Sequence, residues 1–184
     1  MIALFSGARQ GEIAQLETQD IQNEKGIWFI HINNSGEDKR KLVKSAYAKR
    51  SIPIHSQLEK IGFLNFVAEQ KQSGSTHLFP NLERDNKGQF GSVSKFFGKY
   101  LIHIGIKEKG NREKTFHSFR HGFTDELRKE YSEDQFKPLL GHSGRSVTGG
   151  YGTGETYSVA KRKIMIETVN YEDLSLDHIT SYPN

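Results

Sequence analysis

In His117-Ser118-Phe119-Arg120-His121, His117 and Arg120 stand three residues apart, a spacing that puts both on one face of a helix. The pair joins a group that exchanges a proton near neutral pH to a permanent planar cation suited to phosphate. A surface histidine beside a salt-bridged arginine would show the same spacing. Farther on, Gly141 in Leu139-Leu140-Gly141-His142-Ser143 reads as a helix C-cap, which places His142 at a turn, where a packing histidine would also sit. Nine residues later Tyr151 stands in Gly149-Gly150-Tyr151-Gly152. Glycines disfavour a fixed helix, so this phenol has freedom of movement. Near the start, Ser6-Gly7-Ala8-Arg9-Gln10-Gly11-Glu12-Ile13 carries Arg9 on a turn entering a helix, with Glu12 three residues on. The ordinary reading of that pair is a surface ion pair worth less than ~1 kcal/mol. Lys44, ahead of Arg50-Ser51-Ile52-Pro53, has the ordinary reading of a solvated hairpin lysine.

These side chains need elements to hold them. The run Ile27–Ile32 reads as a strand, followed by turn chemistry at Asn33-Asn34-Ser35-Gly36. A second short strand around Lys41–Lys44, carrying Lys44 near a hairpin, and a third at Arg50–Ile54 complete a small antiparallel sheet. Pro53 puts the third strand at an edge or near its end. From Ser56 the period changes: Leu58, Ile61, Phe63, Leu64, Phe66 and Val67 fit a helix, with Ser56 as N-cap and Glu59 as its capping-box partner. Residues 74–91 read as a loop. Val93, Phe96, Phe97, Tyr100, Leu101 and Ile104 mark another helix, and Lys107–Lys114 a basic loop. Helical patterns follow at His117–Lys129, Asp134–Leu140 and about Thr156–Thr168. The expectation is an α+β fold, a mainly helical domain with a small three-stranded antiparallel sheet. Ile2, Ala3, Leu4 and Phe5 follow Met1 without a cap or polar approach, so further sequence is expected upstream.

Composition narrows the chemistry. The chain has 184 residues, 34% of them hydrophobic and 26% charged, and no cysteine. Thiolate zinc sites, cysteine nucleophiles and disulfide scaffolds are therefore excluded. No apolar run approaches the roughly 18 residues of a spanning helix, and no signal sequence opens the chain, so a cytoplasmic protein without a membrane role is expected. From Asn170 onward there are three acids (Glu172, Asp173, Asp177) and no Lys or Arg, which leaves a body of net charge +7. A basic body suggests a polyanionic partner. His117 and His121 stand at His-x-x-x-His spacing but make only a two-ligand pair, so a metal-dependent phosphodiesterase is the most distant reading.

Taken together, Arg9, Lys44, His117-x-x-Arg120, Leu-Gly-His142 and Tyr151 resemble, in order and spacing, the catalytic domain of the tyrosine recombinases, the phage integrase family. SGARQGEIAQL resembles the first arginine motif, HSFRH the His-x-x-Arg motif, and LLGHSGRSVTGGY the stretch from Leu-Gly-His to the tyrosine. The resemblance implies a catalytic domain over 1–169, lacking an upstream core-binding domain, and an acidic tail over 170–184. It implies site-specific DNA recombination or integration, as in mobile elements, without metal or cofactor. Tyr151 would attack the scissile phosphate and form a 3′-phosphotyrosyl bond. Arg9 and Arg120 would clamp the non-bridging oxygens, His142 would donate a further hydrogen bond, and His117 would assist proton transfer at the tyrosine. Lys44 would protonate the leaving 5′-oxygen, with Lys41 its rival, and Glu12 would orient Arg9. The implied partner is double-stranded DNA, bound by a homo-oligomer, a tetramer in the synapse. A non-catalytic DNA-binding relic of the family and type IB topoisomerase-like strand relaxation are the alternatives.

Overall fold

The computed structural model describes residues 1–45, 48–111, 113–142 and 158–179. Its sheet has three antiparallel strands in the order β1 (Ile21–Glu24), β2 (Ile27–Ile32) and β3 (Arg50–Pro53). Ile21 faces Ile30, and Ile30 in turn faces Ile52, so apolar residues align across all three strands. Pro53 closes the edge strand β3, where its missing N–H costs no ladder bond. Around the sheet lie α1 (Ile2–Ser6), α2 (Gln10–Ala14), α3 (Ser56–Lys60), α4 (Phe63–Gln72), α5 (Gly91–His103), α6 (Ser118–Arg128), α7 (Glu133–Leu140) and α8 (Val159–Glu167). The α8 helix packs on β2 and β3, α7 meets β3, and α1 lies against α6. Ile30, Ile32, Ile52, Ile54, Phe123, Leu127, Phe136, Leu139, Leu140 and Ile166 fill the space between them.

The expected number of strands is right, but one strand is elsewhere. Lys41–Lys44 is not a strand. The Lys41 ammonium is drawn onto both carboxylate oxygens of Asp20, each at 2.6 Å. The Gln15 side chain then takes both backbone groups of Leu42, donating to its carbonyl (2.6 Å) and accepting from its N–H (3.0 Å). An amide thus occupies the place a neighbouring strand would have. The third strand is β1, joined to β2 at Lys25-Gly26, both with positive φ as a two-residue hairpin requires. Only Ile21 of β1 is buried, so hydrophobic alternation does not reveal it.

The helix expected from Ser56 to Val67 is two helices, broken at Gly62 with φ 87°. The cap is His55, whose Nδ1 accepts from the Gln57 N–H at 3.0 Å. Ser56 is already helical because Glu167 on α8 binds both its N–H and its hydroxyl. Glu59 pairs with Lys163 instead of closing a capping box. The chain beyond α8 folds back onto its own body: the Tyr171 hydroxyl donates to the Leu4 carbonyl at 2.9 Å, its ring meets Phe5 edge-on, and Asp177 pairs with Lys60.

Gly7 decides how closely α1 and α6 approach. It ends α1 in the left-handed region at φ 60°, and a Cβ there would collide with the Phe123 ring. Gly7→Ala should therefore cost about 2–4 kcal/mol, from backbone strain plus overpacking, read as a lower denaturation midpoint at unchanged m-value.

Candidate active site

Arg9 is the N-cap of α2, and its local partner is Glu12 one turn on. One oxygen of Glu12 accepts from the Arg9 backbone N–H (2.8 Å) and the other from the Arg9 guanidinium (2.9 Å). The same carboxylate receives a second guanidinium: Arg50, at the start of β3, donates at 3.1 and 2.9 Å. Arg50 is 2% exposed and Glu12 6%. Burial alone would raise the Glu12 pKa, yet the Arg50 hydrogen bonds and charge, with those of Arg9, hold it down at about 2.

Arg120, 4% exposed, sits in the first turn of α6. It donates to the Gly7 carbonyl at 2.7 Å, to the Leu140 carbonyl, and to Nε2 of His142 at 3.0 Å. Arginine has only donors, so Nε2 accepts and the His142 proton lies on Nδ1. Burial, then the charges of Arg9 and Arg50, lower the Arg120 pKa to about 10, which leaves the side chain charged at neutral pH.

His142 follows Gly141, which ends α7 with φ 64°. The His142 N–H bonds the Lys137 carbonyl and the Gly141 N–H that of Pro138, the paired closure of a Schellman motif. A Cβ on Gly141 would lie 2.9 Å from Arg50 Nη1 and 3.0 Å from the Ala48 backbone. Left-handed geometry and close approach both require glycine here. His142 is driven toward its neutral form by burial and then by Arg120, Arg9 and Arg50. His117 is the N-cap of α6 and is exposed. Burial of part of the ring, then His121, Arg120 and Arg9, push its pKa down as well. The His121 ring stands edge-on to it at 5.0 Å.

A cleft of about 640 Å³ opens beside this cluster, and Arg9, Glu12, Lys44 and His117 line it. Lys44 reaches it from the exposed loop after Leu42, not from a strand as the sequence predicts. Lys41, the rival, is buried on Asp20 and is absent from the cleft wall. Arg84, Lys107 and Lys114 add positive charge to the same wall. Direct bonds thus join Arg9 to Glu12 and Arg120 to His142, and the cleft adds Lys44 and His117. Tyr151 lies outside the described residues. Sequence reasoning missed Arg50. The available signal was an arginine opening a strand of otherwise buried residues, a place where a charge demands a partner. Among the described residues, no three His, Asp or Glu side chains are grouped to hold a metal, and no helix is long and apolar enough to cross a membrane.

The fold is mainly helical and sets guanidinium groups, imidazoles and a lysine around a basic cleft. The sequence matches the model of the phage integrase family over residues 1–155, and the chain belongs to that family. In fold it is similar to the integrase from mycobacterium phage Brujita, with a TM-score of 0.54 at 19% identity. That similarity covers 97% of this chain and 53% of the other, so the chain spans about half the length of that integrase. None of the curated proteins compared matches the sequence.

The carboxylate at the centre has a measurable pH signature. A folded pKa near 2 against an ordinary 4.5 means that Glu12 contributes stability above pH 4.5 and loses it as the pH falls toward 2. The contribution is on the order of 3 kcal/mol. In Glu12→Gln the unfolding free energy should start lower at pH 7 and fall less steeply between pH 5 and 2, as chemical denaturation across that range would show.

Proposed function

We infer that this chain is the catalytic part, over residues 1–169, of a tyrosine recombinase that cleaves and rejoins duplex DNA through a 3′-phosphotyrosyl bond at Tyr151, with 170–184 as its acidic tail. The observation that carries this reading is the charge balance of the buried cluster. Arg9 and Arg50 both press their charge on Arg120, and among the described residues Glu12 is the carboxylate that the first two share. The described partners of Arg120 are carbonyl oxygens and a neutral imidazole, none of which cancels its charge. A phosphodiester would supply the missing negative charge, and its two non-bridging oxygens suit a planar fork.

The steps follow from these groups. Arg9 and Arg120 hold the scissile phosphate and stabilise the charge that builds on it. His142 turns its ring to donate to the same phosphate. The Tyr151 hydroxyl attacks phosphorus and gives its proton to His117, which its surroundings keep neutral and able to accept. As the new phosphorus–oxygen bond forms, the bond to the 5′-oxygen breaks, and Lys44 protonates that oxygen. One phosphoester replaces another, so rejoining needs no added energy source. Glu12 fixes the direction of Arg9. Arg84, Lys107 and Lys114 favour the flanking phosphates of the duplex, and the working unit on DNA is a homo-oligomer.

A nicked suicide duplex tests the reading. In excess EDTA, full-length protein should form an SDS-resistant adduct that Tyr151→Phe abolishes and Arg120→Lys slows by at least about 10²-fold at little cost in DNA affinity. An adduct mapped to Tyr131 or Tyr157 would refute the assignment of Tyr151. Strict dependence on a divalent metal would refute the mechanism.

The role of Lys44 has a separate chemical test. Replacing the bridging 5′-oxygen by sulfur gives a leaving group that needs no proton. Lys44→Ala should be about 10²–10⁴ slower on normal DNA and largely rescued on the sulfur substrate, whereas Arg120→Ala should not be rescued.

A further inference from the structure

We propose that Arg50 is a positioning residue for strand cleavage, a single buried guanidinium that holds Glu12, and through it Arg9, in fixed relation to the corner of α7 that carries His142. The proposal rests on the reading of Arg9 and His142 as phosphate ligands.

Arg50 points in three directions at once. Nη1 and Nη2 hold the two oxygens of Glu12, Nη1 also donates to the Ala48 carbonyl at 2.8 Å, and Nε donates to the Leu139 carbonyl at 2.7 Å. The Leu139 carbonyl belongs to the last turn of α7, where carbonyls have no partner within the helix. The next carbonyl, Leu140, is held by Arg120. Two guanidiniums therefore grip adjacent carbonyls immediately before Gly141 and His142. The cation also complements the negative end of the α7 dipole. Arg50 lies so close to the corner that Gly141 has no room for a side chain.

Stability alone is a poor reason for this arrangement. A buried ion pair commonly contributes no more than the apolar side chains that could replace it, because both charges lose their hydration. What apolar side chains cannot supply is direction. Arg50 joins the first arginine motif to the Leu-Gly-His corner, which lies about 130 residues away in sequence. Lysine would keep the charge but cannot reach Glu12, Ala48 and Leu139 together.

Arg50→Lys separates charge from geometry. The measurements are the ring proton–carbon NMR signals of His142 and His55 and the side-chain Nε–H signal of Arg9, in the full chain without DNA. His55 is the internal control, since it is buried at α3 between Phe5 and the Val169 carbonyl. The His142 and Arg9 signals should move while His55 stays. On the suicide duplex, adduct formation should fall at least about 30-fold with DNA affinity within about threefold of wild type. Unmoved His142 and Arg9 signals would overturn the proposal, and so would a His55 signal that moves with them, which would mark general loosening. Should Arg50→Lys not fold, Glu12→Gln decides. It leaves Arg50 on Ala48 and Leu139, so Arg9 should move and His142 should not; equal movement of both overturns the proposal. If wild-type protein forms no adduct at all, the cleavage reading fails, while the NMR comparison still decides whether Arg50 couples the two motifs.

Discussion

The Glu12 carboxylate is buried where a charge would ordinarily be neutralised, and it stays ionised because two guanidiniums bind it. Arg9 comes from its own turn and Arg50 from the edge strand of the sheet. Withdrawing the carboxylate would leave both cations facing each other and Arg120 in low-dielectric surroundings, where their repulsion is strong. The turn after α1, the start of β3 and the end of α7 meet at this point because each contributes a group the others need. Packing of Leu139, Leu140 and Phe123 excludes water around the cluster and makes each bond count for more.

Burial first, and then the same excess of positive charge, sets the state of the histidines. His142 and His117 lie in the field of the arginines and are held in their neutral forms. The cationic cluster thereby attracts an anion and adds to the effect of burial in keeping nearby imidazoles free to take a proton. Arg120, with carbonyls and an imidazole as its described partners, keeps its charge uncancelled.

Much of this was legible in the sequence because the motifs are local. Arg9 and Glu12 are one helical turn apart, His117 caps the helix that begins Arg120, and Gly141 has the left-handed cap its position suggested. The α+β class and the basic loop were equally readable from periodicity and composition. What could not be read depends on contacts between distant residues. The Lys41–Lys44 segment looks like a strand until Asp20 takes its lysine and Gln15 its backbone, and nothing nearby announces either partner. β1 shows no alternation because three of its four residues face solvent. Arg50 gave no motif because its partners, Glu12 and Leu139, lie 38 and 89 residues away.

The chain on either side of Lys44 has a fixed foot. One foot is Leu42, clasped by the Gln15 side chain, and the other is Ala48, whose carbonyl is held by Arg50. Gln15 directly follows α2, and Arg50 is bonded to Glu12 within α2, so both feet stand on the short helix that Arg9 caps. The lysine and the first arginine are thus built out from one short helix, Arg9 at its start and Lys44 between two backbone points tied to it.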